Sequence, residues 1–183
     1  MELVTKPLVV SLLILATLVL RPEAGDQRLL FAAALGLSLA GDVALVAPPR
    51  WFGAGLAFFL GAHLLYVVGL LAEPGASESP LLAVLIVTIG GLLVGIPIVA
   101  GAARRRSRWL AMAVVAYLAT ISATLVAADA SGDAVARIGV LALYASDAVL
   151  GWNRFVRPIP HGRFLTRVPY HAGQALMALS LIA

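Results

Sequence analysis

The sequence contains no cysteine, and only 12% of its 183 residues are charged. Without cysteine, the chain forms no disulfide bond and has no thiolate to act as a nucleophile or a metal ligand. It also lacks a polar stretch long enough to fold as a separate domain, and it shows no internal repeat. Because 62% of the residues are hydrophobic, the few charges cannot cover an ordinary water-soluble surface.

The apolar residues are arranged in long runs. Runs of about 20 residues are long enough to cross roughly 30 Å of hydrocarbon, and the mean hydropathy is +1.02. Seven spans are predicted, at about 5–20, 28–47, 52–72, 80–102, 109–128, 134–153 and 167–183. A cleaved signal peptide is the alternative for the first span, although PEAGD is a poor cleavage site. We therefore predict an all-α, polytopic bundle of transmembrane helices that forms one integral membrane domain over residues 1–183.

The basic residues predict how this bundle is oriented. Ten of the thirteen Lys and Arg residues fall on the side that holds the N-terminus, four of them in the connection ARRRSR. The positive-inside rule then places the N-terminus in the cytoplasm and the C-terminus outside, in a plasma or inner membrane. These flanking arginines also explain the pI near 10.1, so we expect membrane lipids rather than nucleic acid as partners.

Two carboxyl groups fall inside the predicted spans. Asp42 is the only charge in LLFAAALGLSLAGDVALVA and lies five residues, or roughly 8 Å at 1.5 Å per residue, from the cytoplasmic end of the second span. Asp147 lies at a similar depth in the sixth span. An ionisable residue within a span is by default a candidate functional residue, and the matching depth suggests one cavity. The alternative is structural pairing with Lys6 or Arg154, which can also snorkel to the membrane surface.

Other polar residues are predicted to lie in the same half of the bilayer. His63 and Tyr66 are three residues apart on the third span, and Tyr170 and Gln174 are four apart on the last. Residues at these spacings share one helix face. Each has a structural alternative, as a packing histidine, a glutamine that joins helices or a tyrosine at the membrane surface.

A pair of buried carboxyl groups is suited to acid–base catalysis. Low dielectric and mutual repulsion disfavour ionising both, so one can stay a neutral acid while the other acts as a base. Such a pair can protonate an unactivated substrate and stabilise the resulting cation, as in glycoside cleavage. A zinc site is the alternative, but it needs three converging ligands. His161 falls in a connection and His171 lies off the face of Tyr170 and Gln174, so we favour acid–base chemistry.

Five segments together resemble the lysoplasmalogenase family, the YhhN-like membrane proteins. They are KPL at 6–8, LSLAGDVAL at 37–45, GLAFFLGAHLLY at 55–66, YASDAVLGWNRF at 144–155 and YHAGQAL at 170–176. No single segment is specific, but all five occur in order over nearly the whole chain. Members usually have eight spans, with one further helix before the span that contains KPL. This chain begins five residues before Lys6, so we expect that helix to be either absent or encoded upstream of Met1.

The resemblance implies hydrolysis of the vinyl ether bond of lysoplasmalogens to a fatty aldehyde and a glycerophospho-base, with no metal or organic cofactor. It implies that Asp42 and Asp147 are the catalytic pair. The single-chain lysophospholipid is expected to enter from the inner leaflet, with its phosphate near the basic residues. The residues expected to bind it are Lys6, His63, Tyr66, Asn153, Arg154, Tyr170 and Gln174.

Two other functions are compatible with the buried polar residues. A proton-coupled small-molecule transporter would also hold buried Asp and His. It is expected to show an internal repeat and polar groups in both halves of the bilayer, and the sequence shows neither. A non-enzymatic lipid-binding protein would keep the pocket without requiring both carboxyl groups. Release of aldehyde from lysoplasmalogen distinguishes the enzyme from both alternatives.

Overall fold

The computed structural model describes residues 2–19, 25–72, 79–105 and 108–182, and within these ranges the chain is helical and contains no strand. Its helices are α1 (Glu2–Val19), α2 (Gly25–Val46), α3 (Phe52–Ala72), α4 (Leu81–Ala103), α5 (Arg108–Ala130), α6 (Ala134–Phe155) and α7 (Gly162–Leu179). Short 3₁₀ turns at Pro49–Trp51 and Ser180–Ile182 precede α3 and follow α7. The predicted all-α bundle is confirmed.

Five of these helices, α2 to α6, are long and apolar enough to cross a membrane. α1 contributes a shorter apolar stretch, Leu8–Val19. Large apolar side chains are exposed over much of the surface, as on Leu93 in α4 and Leu15 in α1, which suits a surface that faces hydrocarbon rather than water. The protein is therefore a multi-pass membrane protein, while its orientation and the identity of the membrane stay predictions.

The last helix begins earlier than predicted, at Gly162 rather than near residue 167. The arginines of GRFLTR suggested a connection, but this segment is already helical, and the Thr166 hydroxyl donates to the carbonyl of Gly162 at 2.8 Å. His161 lies just before the helix in a left-handed conformation, with φ 56°. The charges fall on an amphipathic helix, which a search for uninterrupted apolar runs does not detect.

Helix α4 contains a π-helical segment, Gly91–Gly95, between regular helix at Leu81–Gly90 and Ile96–Ala103. Hydropathy predicted one continuous span here, because it does not distinguish π from α geometry. Single-turn π segments are uncommon and occur often at functional sites. This one faces α5 and α6 next to the candidate site described below.

Glycines allow close packing where α6 crosses α7. A Cβ atom on Gly173 would lie 2.7 Å from the carbonyl oxygen of Gly139, so neither backbone leaves room for a side chain there. Gly173 immediately precedes Gln174 and follows Tyr170 by three residues, so this crossing fixes where both side chains lie. α3 packs against both α2, which carries Asp42, and α5, which carries Tyr117.

Candidate active site

Asp42 lies in a buried polar cluster built from α2, α3 and α7. Its side chain, on a residue only 2% exposed, accepts a hydrogen bond from the Tyr170 hydroxyl at 2.8 Å. One turn further along α7, the Gln174 amide donates to the Ser38 hydroxyl at 3.1 Å and accepts from the Tyr66 hydroxyl at 2.5 Å. We call these five residues the Asp42 cluster. Helical spacing and the family resemblance predicted that four of them line one pocket, and the structure brings these four together. They are Asp42, Tyr66, Tyr170 and Gln174.

Asp147 lies in a second cluster, built from α3, α5 and α6. The Tyr117 hydroxyl donates to Asp147 Oδ2 at 2.7 Å, and His63 Nε2 lies 3.5 Å from the same oxygen. On the other side of the imidazole, His63 Nδ1 lies 3.4 Å from the hydroxyl of Thr124, which also donates to the backbone carbonyl of Thr120 at 2.9 Å. Asp147, His63, Tyr117 and Thr124 form the Asp147 cluster.

The two clusters meet along α3. His63 belongs to one cluster and Tyr66 to the other, and their ring centroids are 6.4 Å apart. One turn before His63, Phe59 packs edge-on against Tyr170, with ring centroids 6.0 Å apart. Each aspartate therefore accepts a hydrogen bond from its own tyrosine, and adjacent side chains of α3 connect the two groups.

Asp147 also lies where two clefts meet. The first, here called the Arg154 cleft, is narrow, with a cavity volume of about 40 Å³. Its lining includes Phe52, Leu56, Ile98, Tyr117, Asp147 and Arg154. The second, the Gly91 cleft, lies between α4, α5 and α6 and has a cavity volume of about 70 Å³. Its lining includes Gly91, Gly95, Ile98, Leu118, Tyr144 and Asp147. Because Ile98, Leu118 and Asp147 line both, the clefts adjoin at the carboxyl group.

The two aspartates differ in access. Both polar contacts of Asp147 involve Oδ2, and no group in the described ranges hydrogen-bonds its Oδ1. The side chain of Asp147 is 13% exposed where it lines the clefts, whereas Asp42 is almost fully buried. Asp147 lines both clefts, and Asp42 lines neither.

The remaining predicted binding residues fall in three different places. Arg154 lines the mouth of its cleft, with its guanidinium carbon 4.7 Å from the centre of the Phe52 ring and its backbone carbonyl accepting from Arg105 Nη2 at 2.7 Å. Asn153 Oδ1 accepts at 2.6 Å from a backbone N–H of the connection between α6 and α7, so this side chain holds the connection. The side chain of Lys6 lies outside the described part of the chain.

Sequence reasoning missed Tyr117 and Thr124. Tyr117, Thr120 and Thr124 lie at positions i, i+3 and i+7 of α5, so they share one helix face. That spacing was the available signal. The signal is weak by itself, because a tyrosine and two threonines in a span are also compatible with hydroxyls bonded to their own helix, as Thr120 is to the carbonyl of Ala116.

A third buried aspartate has a structural role at the opposite end of the bundle. Asp129 accepts from the backbone N–H of Ala83 at 3.0 Å and lies 3.3 Å from Arg137 Nε. It thus ties the start of α4 to the end of α5. Both of its oxygens are occupied, and neither cleft includes it.

The other histidines stay apart from both clusters. His171 Nδ1 donates to the carbonyl of Arg167 at 2.9 Å within α7, and His161 precedes that helix. Over the part of the chain that the structure describes, no three His, Asp or Glu side chains converge as a metal site would require.

Comparison with known proteins identifies the family to which this chain belongs. No solved structure matches the chain. Lysoplasmalogenase TMEM86B from Homo sapiens is 33% identical over 164 residues, which are 90% of this chain and 68% of that protein. Its counterpart from Sus scrofa is 34% identical over 151 residues, or 81% of this chain and 61% of that protein. The chain thus spans roughly two thirds of the length of these curated relatives. The YhhN family model matches residues 1–181, and the chain therefore belongs to the YhhN family.

Proposed function

We propose that this protein hydrolyses the vinyl ether bond of lysoplasmalogens, releasing a fatty aldehyde and a glycerophospho-base. The observation that carries the proposal is the position of Asp147, an intramembrane carboxyl group between a cleft that reaches Arg154 and a cleft lined mainly by apolar residues. Among the residues that the structure describes, none hydrogen-bonds its Oδ1. A lysoplasmalogen has the same order of parts, from phosphate through vinyl ether to hydrocarbon chain. The names of the curated relatives support this substrate class.

Asp147 is assigned as the acid of the first step. Its proton, carried on Oδ1, is transferred to the second carbon of the alkenyl chain, and the electron pair of the double bond forms the new C–H bond. The product is an oxocarbenium ion at the first carbon. As the proton leaves, negative charge develops on the carboxyl group. The Tyr117 hydroxyl already donates to Oδ2 at 2.7 Å, and such a donor stabilises that charge in the transition state.

Asp42 is assigned as the second carboxyl group, which acts through Tyr170. Water adds to the oxocarbenium carbon, its proton passes to the Tyr170 oxygen, and the tyrosine proton passes to Asp42, to which it already donates. The resulting hemiacetal then collapses. Its hydroxyl proton returns to Asp147, the departing glycerol oxygen takes the proton of the Tyr170 hydroxyl, and Asp42 returns its proton to Tyr170. Both carboxyl groups regain their starting state, so no cofactor enters the balance.

The headgroup is assigned to the Arg154 cleft. Arg154 and Arg105 lie together at its mouth, on the side of the membrane that the distribution of basic residues predicts to be cytoplasmic. A phosphate is well matched to arginine, which binds it with two parallel hydrogen bonds. Substrate from the inner leaflet would thus place its phosphate near Arg154 and its vinyl ether near Asp147.

The test is aldehyde release by the purified protein. Lysoplasmalogen should yield aldehyde, whereas a 1-acyl lysophospholipid with the same headgroup and chain length should yield neither aldehyde nor fatty acid. Asp147→Asn and Asp42→Asn should each lower turnover by roughly a thousandfold or more, as coupled catalytic groups do. Asp129→Asn is the matched control, since it changes a buried aspartate outside both clefts and should leave the turnover of folded protein intact.

Three results would contradict the proposal. Absence of aldehyde with folded wild-type protein would reject the activity. Near-normal turnover by either catalytic-site variant would reject that assignment. Proton-coupled uptake by vesicles without aldehyde release would favour the transporter.

A further inference from the structure

A groove on the outer surface of α4 and α5 lies directly outside the Gly91 cleft. Its lining is apolar and consists of Gly91, Gly95, Ile96, Val99, Ala100, Val115 and Leu118. Ile96 and Val115 are exposed, as side chains that face hydrocarbon would be. Gly91, Gly95 and Leu118 line this outer groove and also the Gly91 cleft. These three residues therefore lie at the boundary between the surface of the bundle and the cleft that contains Asp147.

Helix packing does not explain why two of the three are glycines. A Cβ atom on Gly91 would meet nothing within 4 Å, and one on Gly95 would meet Leu118 at 3.7 Å, an ordinary contact distance. Gly90 is different, because a Cβ atom there would lie 2.9 Å from the Tyr144 hydroxyl. At Gly91 the missing side chain instead leaves open space beside the π-helical segment.

We propose that the outer groove and the Gly91 cleft form a lateral opening through which the hydrocarbon chain of the substrate reaches Asp147 from the bilayer. This inference rests on the proposed function and extends it by assigning a place to the chain. The occupant is a single unbranched alkenyl chain, because the passage is apolar and continuous with the carboxyl group that meets the vinyl ether. A bare glycine at position 91 then makes that position a determinant of which chains are accepted.

The depths of these residues fit such an occupant. At 1.5 Å per residue, Asp147 lies about 12 Å from the end of α6 that is predicted to be cytoplasmic, and Gly91 lies about 18 Å from the corresponding end of α4. A chain that starts at Asp147 and passes Gly91 therefore runs toward the middle of the membrane. Neighbouring lipid tails of the inner leaflet run in the same direction, so the substrate needs no reversal to enter.

The first test fills the opening with Gly91→Leu. We expect kcat/KM for a long-chain lysoplasmalogen to fall roughly tenfold or more, as steric exclusion from an apolar pocket does. A lysoplasmalogen with a chain too short to reach Gly91 should be hydrolysed as before. Gly36→Leu is the matched control, because Gly36 is also inside a helix with nothing within 4 Å of its Cβ position and lines neither cleft.

The second test measures occupancy without catalysis. The chain has no cysteine, so Gly91→Cys creates a single thiol whose rate of labelling by an apolar thiol reagent can be followed. The saturated 1-alkyl ether analogue, which cannot be protonated as a vinyl ether, should slow labelling at Gly91→Cys but not at Gly36→Cys.

The outcomes separate the inference from the function on which it rests. An unchanged ratio of long-chain to short-chain activity in folded Gly91→Leu would overturn the lateral opening and leave the hydrolase intact. Equal labelling with and without the analogue would also overturn it. Slower labelling of Gly91→Cys in the presence of the analogue, together with no aldehyde release by the wild-type protein, would reject the hydrolase and retain the opening.

Discussion

Tyr117→Phe is the most informative single substitution, because it removes one hydroxyl and leaves the ring that packs in the bundle. Tyr117 is buried, and its hydroxyl donates to Asp147 Oδ2 at 2.7 Å. In the variant, His63 Nε2 at 3.5 Å is the remaining described contact of that oxygen. The carboxyl group of the variant therefore lacks its short hydrogen bond, and this matters most in the transition state, where negative charge develops on the carboxyl group.

The size of the effect follows from that bond. A hydrogen bond to a charged group contributes about 1.5–3 kcal/mol, and each 1.36 kcal/mol of barrier corresponds to a tenfold change in rate. The bond strengthens as Asp147 gives up its proton, so its loss acts on the transition state more than on substrate binding. We expect kcat to fall by roughly 10- to 150-fold, while KM changes little.

The assay is steady-state aldehyde release by protein of verified fold. Thr120→Val is the matched control, because it also removes a hydroxyl from α5, one that donates only within the helix, to the carbonyl of Ala116. Its turnover should stay within roughly twofold of wild type. Unchanged kcat in Tyr117→Phe would show that this hydroxyl does not assist proton transfer. A rise in KM as large as the expected fall in kcat, with kcat itself unchanged, would show that Tyr117 only shapes the cleft.

Three further results are expected. His63→Ala should lower turnover by roughly tenfold, less than either aspartate variant, because the imidazole lies 3.5 Å from the Asp147 carboxyl group and transfers no proton in the proposed mechanism. A loss of turnover as large as that of the aspartate variants would make His63 a catalytic acid or base. Gly173→Ala should cost about 1–3 kcal/mol of stability, seen as a lower Tm in detergent, because its Cβ atom would lie 2.7 Å from a backbone carbonyl of α6. Gly36→Ala is its control and should not lower the Tm. A reporter fused at Ala183 should be active outside the cytoplasm and one in the connection at 104–108 inside, and the reverse pattern would contradict the predicted orientation.

The helices and the two aspartates could be predicted because each depends on local sequence. Long apolar runs define spans whatever the spans pack against, and a single carboxyl group such as Asp42 is conspicuous within one. Tyr170 and Gln174 were accessible in the same way, since helical spacing alone puts them on one face. The family followed from five segments in order and is confirmed by the match over residues 1–181.

The features that could not be predicted depend on how the helices pack. Tyr117 pairs with Asp147 on another helix, and nothing near either residue in the sequence indicates the partner. The π-helical segment at Gly91–Gly95 has the same hydropathy as an ordinary span. Which aspartate is accessible also depends on packing, because the clefts beside Asp147 are formed jointly by residues of α3, α4, α5 and α6. Asn153 was predicted to bind substrate, and the structure shows its Oδ1 accepting a hydrogen bond from the connection between α6 and α7, so its part in binding stays a prediction.

The central claim, that a carboxyl group protonates carbon, is tested most directly by turnover in D₂O. The aldehyde is trapped by reduction as it forms, since its own exchange with solvent is slow, and the product is examined by mass spectrometry. The account predicts one deuterium on the carbon next to the former carbonyl, a normal solvent isotope effect on turnover, and activity that persists in the presence of strong chelators. Trapped product without deuterium, or activity that chelators abolish and zinc restores, would contradict it.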